Sequence, residues 1–196
     1  MSALVKIEPQ ADAAKPIRHT ERQMLNALQV RYTKDSGNGP RYVYAEHVRN
    51  QGGFGGAPNT DSALRTADAI AVDLWPSSGH LVHGFEVKVS RSDWLVELAD
   101  PSKAEAFKRF CHRWWLVIPS GEILRDDLPH GWGCLTLGNN GSLRIAHHAP
   151  KLTPEPIPLT LTAALLRAAV KTTTKHLAQS PTELPQGAQI EETEKV

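Results

Sequence analysis

Apolar residues recur along the chain at two spacings, and the change from one to the other marks the elements. Met24, Leu25, Leu28 and Tyr32 fall at helical spacing. They follow Thr20-Glu21-Arg22-Gln23, a capping box with Thr20 as N-cap and Gln23 three residues on, so the pattern predicts a first helix. Asp35-Ser36-Gly37-Asn38-Gly39-Pro40 supplies its end, and Arg41 to Val48 alternates Tyr42, Tyr44 and Val48 with small or polar residues as a first strand would. Gln51-Gly52-Gly53-Phe54-Gly55-Gly56 reads as a flexible connection rather than a lid. It is no phosphate loop, because no Gly-Lys-Ser or Gly-Lys-Thr follows.

The period of two returns at residues 67 to 75, turns through Pro76-Ser77-Ser78-Gly79, and resumes at 80 to 90 with Val and Leu, a β-hairpin. Ser90 or Ser92 can cap a short helix through Trp94, Leu95 and Leu98. Pro101 opens another helix, with Ala104, Phe107 and Cys111 on one face, and residues 113 to 119, Arg-Trp-Trp-Leu-Val-Ile-Pro, read as a buried strand. A strand reached through a helical crossover is expected to lie parallel to its neighbour in a mixed sheet. Trp114 and Trp115 then enter the core on opposite sides of that strand. Gly131 to Leu137 and Leu143 to Ala146 pair across Gly138-Asn139-Asn140-Gly141. After a proline-spaced crossing from Pro150 to Pro158, Thr160 to Leu177 is a helix, with Leu161, Leu165, Leu166, Ala169 and Val170 suited to docking on the core.

The expected organisation is a flexible lead at 1–17, one α/β domain at 18–177, and an acidic disordered tail at 178–196. Composition changes this picture little. The chain of 196 residues is 40% apolar with a net charge of +1. From Ala178 onward four glutamates face one lysine, so the preceding residues carry +4, mildly basic and far from a DNA-coating protein. Cys111 and Cys134 lack metal-site spacing and no signal peptide is evident, so free thiols in a cytoplasmic protein are expected. No apolar run is long enough for a membrane helix.

The hairpin carries the candidate chemistry. Residues two apart in a strand share a face, so Glu86 and Lys88 point the same way, and a turn pairing Trp75 with Gly79 sets Asp68 opposite Glu86. A register shifted by one would put the acids on opposite faces. Asp73 falls opposite residues 81 to 82 and reads as a surface residue. Two carboxylates and a lysine so placed suit Mg2+ or Mn2+, bound by Asp68, Glu86 and the backbone carbonyl of Val87. Lys88 would orient or help deprotonate an attacking water.

The order helix, three strands, helix, strand, with Asp68 and then Glu86-Val87-Lys88, resembles the PD-(D/E)XK nuclease superfamily, which includes restriction endonucleases and Holliday-junction resolvases. A sharper likeness, over roughly residues 41 to 170, is to phage and bacterial proteins related to the MmcB DNA-repair endonucleases. It is carried by Arg65-Thr66-Ala67-Asp68, by Gly84 through Trp94 with its Ser90-Arg91-Ser92-Asp93-Trp94 segment, and by Arg113 to Val117. The resemblance implies a restriction-endonuclease-like core (αβββαβ, a mixed central sheet flanked by helices) to which the C-terminal β-hairpin and helix are added. It also implies a DNA substrate, and the first acid and the Glu-x-Lys pair on one face. One departure is that no proline precedes Asp68. Superfamily members often add a glutamate from the first helix; Glu21 is the matching candidate and Glu46 competes with it.

Arg65, Arg91, Lys103, Lys108 and Arg109 are candidate phosphate contacts. The expected activity is metal-dependent hydrolysis of DNA phosphodiesters by Asp68, Glu86 and Lys88, in repair, recombination or phage DNA processing. The alternative is a DNA-binding or regulatory module that keeps the fold without turnover. Cutting both strands with one site per chain is simplest in a homodimer.

Overall fold

A computed structural model describes residues 18–33, 37, 39–50 and 64–179. The expected N-terminal lead, the glycine-rich stretch from Gln51 to Gly56, Asp35, Ser36 and Asn38 of the first helix's end, and the chain beyond residue 179 lie outside the described residues.

The capping box forms as the sequence predicts. Thr20 Oγ1 accepts the Gln23 N–H at 3.2 Å, and Gln23 Oε1 accepts the Thr20 N–H at 2.9 Å, satisfying two backbone donors that a helix start leaves without partners. Helix α1 (Glu21–Thr33) follows, then strands β1 (Tyr42–Arg49), β2 (Thr66–Asp73) and β3 (Val82–Val87), helices α2 (Arg91–Ala99) and α3 (Ser102–Lys108), and strand β4 (Arg113–Ile118). Strands β5 (Trp132–Leu137) and β6 (Leu143–His147) and helix α4 (Leu159–Gln179) complete the order.

The six strands form one mixed sheet in sequence order. β1, β2 and β3 are an antiparallel meander, β4 lies parallel to β3 and β5 parallel to β4, and β6 returns antiparallel. The parallel step occurs where α2 and α3 cross over, as the sequence led us to expect.

Each face of the sheet has its own core. Trp114 sits on one face among Trp94, Phe107, Trp132, Leu161 and Leu165, while Trp115 sits on the other among Met24, Leu25, Leu28, Phe85 and Leu135. Adjacent tryptophans on a strand thus serve opposite layers. Gly84, paired with Trp114, leaves room for the indole: a Cβ there would stand 2.2 Å from Trp114 Cζ3.

Three expectations are corrected. Asp73 is buried at 1% exposure rather than on the surface, because Arg41 donates to its Oδ2 from Nε at 3.1 Å and from Nη2 at 2.9 Å. Leu166 and Val170 of α4 do not dock on the core and are 60% and 66% exposed. The buried positions are Leu161, Ala164, Leu165, Ala168 and Thr172, so the inward stripe runs one residue round from Leu166. The hairpin strands are also shorter than 67–75 and 80–90, since β3 ends at Val87 and Ser90 already caps α2 by accepting the Asp93 N–H at 3.2 Å.

α4 runs along β1, where Thr172 Oγ1 accepts the Glu46 N–H at 2.9 Å and so partners a donor on the sheet's first edge strand. Among the described residues no helix is long and apolar enough to cross a membrane. Cys111 and Cys134 are buried free thiols.

Candidate metal centre

The register of the hairpin places the acids. β2 and β3 pair from Val72 opposite Val82 to Ala69 opposite Phe85, so Asp68 and Glu86 are the residues next beyond the paired ladder, near enough for the Asp68 charge to act on the Glu86 carboxyl. There the ladder changes partner: the Val87 N–H donates to Asp68 Oδ2 at 2.7 Å instead of to a backbone carbonyl. A strand residue sends its N–H and C=O to the same edge, so the Val87 carbonyl is also directed toward β2.

On the other side of β2, His47 falls between the pairs Glu46–Ala69 and Val48–Ala67, which sets it beside Asp68. Its backbone is left-handed (φ 50°), a conformation a non-glycine residue adopts at some energetic cost. Glu21, the first residue of α1, approaches from the helix layer. One ligand atom from each of Glu21, His47 and Asp68 lies within 4.8 Å of the others. Three strands and a helix N-terminus therefore converge at Asp68.

On the far side of Glu86 stands Lys88. Its Nζ donates to Glu86 Oε1 and lies 3.1 Å from Glu97 Oε2 on α2. Glu86 and Glu97 border a cleft of about 220 Å3, walled by Leu64, Ala67, Phe107 and Trp114, with Arg65 and Lys103 also lining it.

Electrostatics follow from this crowding of acids. Burial raises the Glu86 carboxyl, Asp68 opposite raises it further, and Lys88 offsets only part, leaving it at about 8. Asp68 is also raised by burial, with the Val87 N–H and Lys88 opposing. Burial works against the Lys88 charge, yet Glu86, Glu97 and Asp68 together hold its pKa above the usual lysine value. Glu21, His47 and Asp68, whose ligand atoms gather within 4.8 Å, form a donor set that could hold a divalent cation, with the raised Glu86 carboxyl beside them. Carboxylate oxygens suit Mg2+ or Mn2+, and the imidazole of His47 adds a nitrogen donor that the Mn2+ end of that pair accepts better.

Of the residues singled out in the sequence, Asp68 and Glu21 come together with His47, while Glu86 and Lys88 form an adjoining ion pair one residue from the Val87 N–H that Asp68 accepts. Glu46 joins neither: it is buried against Arg22, which donates to its two oxygens at 2.9 and 2.8 Å, with His176 at 3.6 Å and Lys175 at 4.0 Å. Burial alone would raise its pKa, but Arg22 reverses that and holds it below the usual range. Among the candidate phosphate contacts, Arg65 and Lys103 line the cleft. Arg91 is tied to Asp127 and to the Ile123 carbonyl, Lys108 to Glu105, and Arg109 to Glu155 across the ring of Phe110.

Sequence reasoning missed His47 and Glu97. Glu97 was open to inference, because it falls three residues after Trp94 on the apolar face of α2, where an acid needs a partner. His47 gave no such signal, since only the pairing of β1 with β2 brings it to Asp68.

No family model matches the chain, and no curated protein matches it. Among solved structures it is similar to SPO1766, a protein of unknown function from Silicibacter pomeroyi. The TM-score is 0.53 at 18% identity, over 90% of this chain and 100% of that one. Similarity at that identity speaks to the fold alone, here an α/β architecture with a mixed six-stranded sheet.

Proposed function

We propose that the protein is a metal-dependent DNA endonuclease with a restriction-endonuclease-like core of the PD-(D/E)XK type, related to the MmcB DNA-repair proteins. The observation that carries this reading is the placement of Asp68 and Glu86 on neighbouring strands just beyond the paired ladder, with Lys88 two residues on and both carboxyls raised. The order of α1, β1 to β3, α2 with α3, and β4 supports it, as does the antiparallel meander that turns parallel at β4.

In this reading Asp68, Glu86 and the Val87 carbonyl would hold the cation, and Glu21 and His47, whose ligand atoms gather at Asp68, would be further donors. The cation supplies a more acidic bound water and charge compensation at phosphorus. Lys88 is an ammonium donor among three acids, so it orients water and stabilises negative charge at a phosphate. Arg65 and Lys103 stand where a DNA backbone entering the cleft meets positive charge.

The test is incubation with single-stranded, duplex, nicked and branched DNA in Mg2+ or Mn2+, with Glu86→Ala and Lys88→Ala in parallel. Cleavage by the wild type, lost in both variants, is expected. Equal cleavage by all three would mark a contaminant, and salt-sensitive binding without cleavage would favour a DNA-binding module instead.

A further inference from the structure

Lys88 is shared. One ammonium donates to Glu86 Oε1 and sits 3.1 Å from Glu97 Oε2, and an ammonium has three donors to distribute. Glu97 is 5% exposed, and its other oxygen, Oε1, is buried with no hydrogen-bond partner among the described residues. Native proteins rarely leave a buried acceptor unsatisfied, so this oxygen calls for an explanation. Its position on α2 is rigidly set. Trp94, one turn earlier on the same face, is fully buried, and Ser90 caps the helix start.

The metal reading creates a conflict at Glu86. A cation there and the Lys88 ammonium are like charges on one small carboxylate, and in a buried site they repel strongly. The ammonium has to leave, and Glu97 already lies on its other side with an oxygen to spare.

We infer that Glu97 is a positioning residue that provides Lys88 with a second seat, onto which the ammonium moves from Glu86 when a divalent cation takes that carboxylate. This rests on the metal reading of the site. In the exchange Lys88 keeps a full counter-charge, Glu97 Oε1 gains the donor it lacks, and the ammonium stays within the cleft beside Glu86. Without Glu97, cation and ammonium compete for one carboxylate.

The experiment is equilibrium Mn2+ binding to the full chain for wild type, Glu97→Gln, Lys88→Met and the double variant. Glutamine keeps the shape and removes the charge. Glu97→Gln is expected to weaken Mn2+ binding about fivefold or more in the wild-type background. With Lys88 replaced by Met, the same change should have a clearly smaller effect, because the competitor is gone. An equal loss in both backgrounds would mean that Glu97 acts directly on the cation, and no loss would mean that it is only a counterion; either overturns the second seat. A measurement on the wild type needs no variant to fold: the Lys88 Nζ nitrogen resonance should shift as Mg2+ is titrated and saturate with occupancy, and a resonance that stays put overturns the inference. Failure of wild type to bind either cation refutes the metal reading itself, a result distinct from binding without coupling to Glu97.

Discussion

His83 shows how one buried side chain sets a response to acid. It is 8% exposed, lies beside Tyr32, Tyr42 and Phe85, and its Nδ1 accepts from Trp115 Nε1 at 3.3 Å. Burial, with Arg113 adding to it, pulls its pKa down to about 4. The charged form is disfavoured only in the folded state. The associated stability is therefore present above the ordinary histidine pKa and is lost as pH falls through about 4, by at most roughly 3 kcal/mol. Urea unfolding at pH 7 and 4.5 should show this loss in the wild type and a smaller one in His83→Gln, which retains an acceptor for Trp115. An equal loss in both would assign the acid sensitivity elsewhere. His83 and Asp73 were both hidden from sequence reading for one reason: each is polar on a strand, and whether such a residue faces water depends on what another segment brings over it. For Asp73 that segment is Arg41, 32 residues away.

At the scale of elements the pattern was more legible. The first helix with its cap, three strands before the crossover, the turn at Pro76 to Gly79, a serine cap at residue 90 or 92 and the parallel strand at Arg113 were all readable, because each depends on local spacing, turn chemistry and crossover handedness. The phase of α4 was not. Leu165 and Leu166 are equally apolar, and only the packing of α4 on β1, in the core that also holds Ala45 and Val48, decides between them. Gly84, which carried no reading of its own, is the space into which Trp114 packs, with Cys111 Sγ 2.9 Å from where a Cβ would stand. Gly84→Ala should therefore destabilise the protein by about 3 kcal/mol in urea unfolding, the upper range for overpacking a core. The Trp114→Leu background should recover part of that loss. A neutral Gly84→Ala would mean that β3 and β4 separate more easily than their packing indicates.

For the molecule as a whole, the candidate centre is where separate parts of the chain are joined. Its grouped donors, Glu21, His47 and Asp68, come from α1, β1 and β2, so a cation bound there would link a helix to two strands. Folding and binding are then coupled, and Mn2+ at a hundredfold excess over its dissociation constant should add about 2.7 kcal/mol of stability. Thermal unfolding with and without Mn2+ checks this, and a melting temperature indifferent to Mn2+ would argue against the centre. The acids of the hairpin were legible as strand residues from spacing and turn, but their register was open to a shift by one and came to one face only through the resemblance. Glu21 was reached through the resemblance, and His47 through neither route. The hydrogen bond from the Val87 N–H to Asp68 has a practical consequence. Asp68 completes the sheet with one oxygen while serving the centre with its charge, so truncation to alanine would leave a strand donor without its acceptor and confuse lost function with lost structure. Asparagine keeps an oxygen for Val87 and discards the charge. Under the proposed nuclease reading, a folded protein blind to cations, suited to capturing a nucleic acid uncut, would thus be a single-atom exchange away.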